Sequence, residues 1–186
     1  NKYGGLSDPG HDKVGAQIAA VILSRLHLPP SRQKRIVWLV RNHMAALPYN
    51  RPVLVRWLKR RSLFFNSQAE LREAVHQLIA LRHADLIAGK INPDWQKVRQ
   101  VEQLLDEVLS TVPFYVGELK ISGGDVALKL GRGPQVGKFL TDLLDRVVSG
   151  RLPNRREILL EVLNRKASRP RVLQSLSDPK IKNLLK

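Results

Sequence analysis

Apolar residues recur at three- and four-residue spacing along almost the whole chain, the period of helices that bury one face. Between Gly10 and Leu28 the set Val14, Ile18, Val21, Ile22 and Leu26 predicts a first helix, stopped by Pro29-Pro30. Ser31 is the expected cap of a second, whose stripe is Ile36, Val37, Leu39, Val40 and Met44 and which ends near Leu47-Pro48. Pro52 opens a short third helix with Leu54, Val55 and Leu58 inward. Ser67, with Glu70 three residues on, forms a capping box for a fourth helix running to about Gly89. Asn92-Pro93 begins a fifth, through Leu109, with Val98, Val101, Leu104, Leu105 and Val108 inward.

The periodicity breaks between Thr111 and Lys120, where Pro113 and Gly117 interrupt it and Val112, Phe114, Tyr115 and Val116 make a short apolar clasp. This break predicts a helical body domain over 1–112 and a smaller helical tail domain over 113–167. The tail reads as a short helix, a glycine hairpin, a long helix from about Pro134 to Val148 stopped by Gly150, and a last helix to about Lys166. Asn154 is the expected cap of that last helix, with Glu157 at the box position. Residues 168–186 are basic, contain two prolines and are expected to be loosely ordered. No strand and no repeat of 20–50 residues is visible. The expected fold is all-α.

Charge changes the picture more than composition does. The apolar fraction of 43% and charged fraction of 26% are ordinary for a globular protein. No apolar run approaches the roughly 20 residues of a membrane span, so no membrane partner is expected. The absence of cysteine excludes disulfides and thiolate metal sites and fits a cytoplasmic protein. The formal net charge, however, is +16 and the isoelectric point about 10.8. Residues 1–66 hold 12 Lys/Arg against 2 Asp/Glu, and residues 150–186 hold 10 against 3. The stretch between them is near neutral, with 10 against 11. Two segregated basic regions point to a polyanion partner.

Three clusters are candidates for that contact. In the hairpin, Gly131 and Gly133 flank Arg132, Pro134 suits a first helical position, and Gly137 and Lys138 follow in the first turn. A helix N-terminus offers unpaired N–H groups and partial positive charge, glycines let a phosphate approach, and the two cations add to the attraction. The geometry resembles a helix-hairpin-helix. The simpler reading is a tight turn in which Gly131 supplies the left-handed position after a helix. The second cluster is Arg51, Arg56, Lys59, Arg60 and Arg61; positions 56, 59 and 60 share a helix face that can track a phosphate backbone. Trp57 and Phe64-Phe65 interleave there, either as core or as platforms for bases. The third is Arg151, Arg155 and Arg156 around the start of the last helix, where cations oppose the dipole and invite a compensating anion.

His11-Asp12 with His43 and His83-x-Asp85 have the residue types of a metal-dependent phosphohydrolase, but their spacing is irregular and no metal is expected. There is no G-x-S-x-G elbow, no Walker A sequence and no D-x-D pair, so no catalytic residues are expected within the chain.

Gly10-His-Asp-Lys-Val-Gly-Ala-Gln-Ile-Ala19, Arg25-Leu26 and Arg35-Ile-Val-Trp-Leu-Val-Arg-Asn-His-Met44 resemble the body region of bacterial tRNA nucleotidyltransferases and the related poly(A) polymerases. Later blocks follow in the same order: Ala84-Asp85 with Ala88-Gly89, Ile121 to Asp125, Gly133-Pro-Gln-Val-Gly137, Leu140, Gly150, Asn154 and Glu157-x-Leu159-Leu160. The resemblance extends to about residue 165. It departs at Gly-Asp-Val, where the family more often has Gly-x-Asp-Leu, and after Ser168 nothing matches. It implies a helical body and tail that hold tRNA, or another structured RNA, by its backbone. It further implies a catalytic head, absent from these residues, that carries a D-x-D pair for Mg²⁺. The chain itself is then expected to bind no cofactor and to have that head as its partner. A start at Asn1 rather than Met fits a fragment of a CCA-adding enzyme. The equivalent region of a poly(A) polymerase, a phosphohydrolase helical domain, or a protein–protein module with basic solubilising faces are the alternatives.

Overall fold

The computed structural model describes residues 10–90 and 92–168. The described residues form eight α-helices and one 3-10 turn, with no strand among them, so the fold is all-α. In order these are α1 (His11–Arg25), α2 (Pro30–Asn42), α3 (Arg51–Ser62), α4 (Gln68–Ala88), α5 (Trp95–Thr111), the 3-10 turn Val116–Glu118, α6 (Gly123–Leu130), α7 (Pro134–Val148) and α8 (Arg156–Ala167). The chain divides into two compact units, Asn1–Ser110 and Thr111–Lys186. Apart from Ser168 itself, the basic C-terminal segment lies outside the described residues.

In the first unit the buried faces are Leu54, Val55, Trp57 and Leu58 of α3, Leu71, Ala74, Val75 and Leu78 of α4, and Val101, Leu105, Val108 and Leu109 of α5. Polar ties fix α4 along α5. Gln68 Nε2 and Arg72 Nη2 donate to the Leu109 carbonyl at 2.8 and 2.9 Å, and His83 Nε2 lies 3.0 Å from Glu102. Ser67 caps α4 as expected, accepting from Glu70 N–H at 3.2 Å. The Glu70 carboxylate returns to Asn66 N–H rather than to the cap residue. α5 starts later than the Asn92-Pro93 signal because the Asp94 carboxylate takes the N–H groups of Gln96 and Lys97. Ser31 is not a cap: Pro29 holds that position, Pro30 opens α2, and Ser31 lies inside the first turn. α2 buries Trp38, which the stripe reading passed over, and leaves Met44 exposed.

α1 reverses the expectation. Val14, Ile18, Val21, Ile22 and Leu26 are 50–62% exposed. The helix buries its opposite side, Ala16 and Leu23, where a Cβ on Gly15 would stand 3.4 Å from Val40. Small residues at 15, 16 and 19 let α1 lie close on α2, and the bulkier stripe is left facing outward.

The second unit is built on Leu119, Ile121, Val126, Phe139, Leu140, Leu143, Val147, Leu159 and Leu163. The Glu118 carboxylate accepts from the N–H groups of Phe114 and Tyr115 at 2.9 and 3.2 Å, which closes the clasp. α7 ends in a Schellman motif, with Gly150 at φ +72°, its N–H on Val147 O and Arg151 N–H on Arg146 O. Asn154 does not cap α8. Its side chain bridges the preceding segment instead, accepting from Lys120 N–H at 2.9 Å and donating to Glu118 O at 3.0 Å, and Arg155 becomes the cap residue without a side-chain bond.

Candidate nucleic-acid interface

The hairpin is made by two glycine conformations. α6 closes with Gly131 N–H on Ala127 O. Gly131 then adopts φ +83°, ψ +162° and Gly133 φ +139°, ψ −173°, a region essentially reserved for glycine. Gly131 is therefore not the simple left-handed residue of a helix terminus. Gln135, which the sequence reading did not single out, folds back and donates from Nε2 to the carbonyls of Gly131 and Arg132, both at 3.1 Å. One amide thus occupies acceptors that would repel an approaching anion.

α7 begins at Pro134 with neither a side-chain cap nor an acidic residue in its first turn. Its N-terminal partial charge is consequently uncompensated from within the helix. Arg132 and Lys138 are exposed and make no ion pair among the described residues. Gly137 is exposed, and a Cβ added there would meet nothing within 4 Å. Pro134 has no N–H and Val136 N–H is already on Gly133 O at 3.1 Å. What remains, the positive end of the helix with two exposed cations over a bare backbone, suits a phosphate.

The α8 cluster divides. Arg156 Nη2 and Nη1 reach the two carboxylate oxygens of Asp125 at 2.7 and 3.0 Å. Ser122 Oγ accepts from Asp125 N–H at 3.1 Å, and Asp125 accepts from Ser122 N–H at 2.8 Å, so one carboxylate completes the α6 capping box and anchors α8. The Arg156 hydrogen bonds, then those from Ser122, hold the Asp125 carboxyl well below the usual carboxylate range. An unfolded aspartic acid titrates near about 3.9. The contact is therefore fully present above that pH and is lost only as strong acid protonates the folded state. The anion expected opposite this basic helix start is the chain's own Asp125, and Arg156 is a strut. Arg151 Nε is bound to Ser149 Oγ at 2.8 Å, while Arg155 is exposed without an ion pair among the described residues.

The α3 cluster divides in the same way. Arg56 and Arg60 are exposed; Lys59 is half-buried; Arg51 faces Glu107 at 3.3 Å. Arg61 turns inward, its guanidinium 3.5 Å from the Trp57 ring centroid, with Nη2 3.3 Å from Asn42 Oδ1. Burial, then the neighbouring Arg60 charge, pushes its pKa down to about 10. Trp57 is core, and Phe65 packs edge-on to Trp38 at 5.1 Å, so of the three interleaved aromatics Phe64 alone is more than half exposed. Arg61→Ala is expected to lower the thermal midpoint with little change in the salt slope of RNA binding. Arg60→Ala should do the reverse, and paired melting and filter-binding measurements check both.

Two curated relatives resemble the chain. The chain is 32% identical over 150 residues, 80% of its length, to the CC-adding tRNA nucleotidyltransferase of Thermus thermophilus. It is 33% identical over 143 residues, 73% of its length, to the A-adding tRNA nucleotidyltransferase of Deinococcus radiodurans. Over this stretch the chain belongs to the tRNA nucleotidyltransferase family. It spans 31% and 30% of the two relatives' own lengths. No family model matches the chain, and no solved structure does.

For a member of the tRNA nucleotidyltransferase family the histidines need a separate account. His11 and His43 do meet, Nε2 to Nε2 at 3.2 Å, with His43 Nδ1–H donating to Val40 O at 2.6 Å. Neither Asp12 nor Asp85 completes a ligand set with them: no group of three His, Cys, Asp or Glu side chains converges among the described residues. The pair closes the packing of α1 on the end of α2. Nor is any described helix long and apolar enough to cross a membrane.

Proposed function

We propose that this chain is the tRNA-anchoring part of a template-independent tRNA nucleotidyltransferase, holding the RNA by its backbone while the chemistry takes place elsewhere in the enzyme. The observation that carries this reading is the uncapped, acid-free start of α7, where Gly131, Gly133 and Gly137 leave the backbone bare between the unpaired cations Arg132 and Lys138. Of the other two basic clusters, Arg155, Arg56 and Arg60 are exposed cations available for further phosphates. The two relatives are named for adding different nucleotides, yet resemble the chain at nearly equal identity, 32% and 33%. That supports a role common to both reactions rather than a role in choosing the nucleotide.

The exposed stripe of α1 supports the same reading, because an apolar face of this kind suits packing against the remainder of such an enzyme. Shape rather than sequence would be read, since A-form helices present their base edges poorly to side chains.

Arg132→Ala with Lys138→Ala should weaken tRNA binding roughly a hundredfold at moderate salt, about tenfold for each of two lost charged hydrogen bonds. It should also reduce the slope of log K against log salt by about 1.8, the value for two lost duplex phosphate contacts. Filter binding across a salt series reads both. An unchanged slope overturns the hairpin assignment.

A further inference from the structure

A groove of about 720 Å³ opens between α7 and α8 beside the hairpin, with which it shares Gln135 and Lys138. Its volume lies within the roughly 300–1,000 Å³ of small-ligand pockets. Leu130, Phe139 and Val162 supply an apolar lining. The charged rim is partly neutralised from within: Arg146 lies 3.9 Å from Asp142, and Arg165 is bound to Glu161 at 2.5 Å. Lys138 and Lys166 are left without an ion pair among the described residues. The groove therefore suits a ligand that has both an apolar body and negative charge.

We propose that it takes one unpaired nucleotide of the bound RNA, the base against Leu130, Phe139 and Val162 and the phosphates toward Lys138 and Lys166. A nucleotide inside a duplex cannot serve, because its base is stacked and only its phosphates are reachable; an extruded or looped one offers both parts. Lys138 borders both hairpin and groove, so one RNA backbone can run from the first to the second. The chain's own residues 169–186 carry five Lys/Arg against one Asp, the same sign as the rim, and charge complementarity disfavours them as the occupant. This inference rests on the RNA-binding reading and adds a specificity for unpaired nucleotides.

Two RNA duplexes identical except for a single bulged 2-aminopurine test it. The bulged RNA should bind the chain about tenfold tighter than the plain duplex, the scale of one base contact. Its fluorescence should change on binding, and adenosine monophosphate should erode the preference whereas polyglutamate should not. Lys166→Glu and, separately, Val162→Glu should reduce the preference to about twofold or less. Equal affinity for the two RNAs with unchanged fluorescence overturns the groove assignment while leaving the hairpin reading in place. Failure to bind either RNA overturns both. Displacement of the bulge by polyglutamate but not by the nucleotide points to an acidic protein partner and overturns the proposal.

Discussion

Replacing Leu143 by alanine should lower the stability of the Thr111–Lys186 unit by about 2–5 kcal/mol, the range for a buried leucine reduced to alanine. Leu143 is fully buried on α7, in one cluster with Val126 of α6 and Leu159 and Leu163 of α8. Its removal opens a void that three helices would have to close together, and helices tied by the Asp125–Arg156 contact cannot move freely. A unit this small has little stability in reserve. The expected result is a large drop in its thermal midpoint, read by circular dichroism, with RNA binding through the hairpin lost over the same temperatures. Leu128→Ala is the control: that side chain is 87% exposed on the neighbouring helix and should change stability by no more than about 0.5 kcal/mol. A Leu143→Ala protein melting with the wild type would show that α6, α7 and α8 do not share a core.

Much of the second unit is legible in the sequence because Pro134 and Gly150 mark both ends of α7 and the residues between them keep a helical period. Three other features are not, for different physical reasons. Periodicity shows that α1 is amphipathic, but the side it buries is decided by how closely α2 approaches, and the small side at Gly15 and Ala16 allows the closer contact. Asn154 has the right chemistry and position for a cap. A side-chain amide can satisfy only a few partners, however, and those of the Glu118–Lys120 segment take them. The cations are the hardest to sort. Arg60 and Arg61, or Arg155 and Arg156, are indistinguishable as letters, yet one of each pair is spent on Trp57 or Asp125 and the other faces water. Long side chains choose their partners in three dimensions, so a basic cluster in a sequence overstates the charge available to a ligand. The hairpin escapes this because proline fixes its own φ and glycine takes up positive-φ conformations that other residues resist, so both act on the backbone directly.

That constraint gives the sharpest test of the hairpin, since its glycines should respond oppositely to the same added methyl group. At Gly133 alanine would have to adopt φ +139°, and its Cβ would stand 2.6 Å from Gln135 Oε1. Relief would require Gln135 to leave the carbonyls it holds. Gly133→Ala should therefore cost of order 1–3 kcal/mol and weaken RNA binding with it. Gly137 is helical and open, so alanine there should instead raise stability by about 0.5–1 kcal/mol through helix propensity. If a phosphate sits against the first turn of α7, the new methyl group occupies its path, and affinity for RNA should fall, by roughly tenfold for one lost charged hydrogen bond. A variant that melts higher yet binds more weakly cannot be explained by a folding defect. Should Gly137→Ala melt higher and bind RNA as well as the wild type, no phosphate approaches that turn, and the cations alone would have to carry the contact.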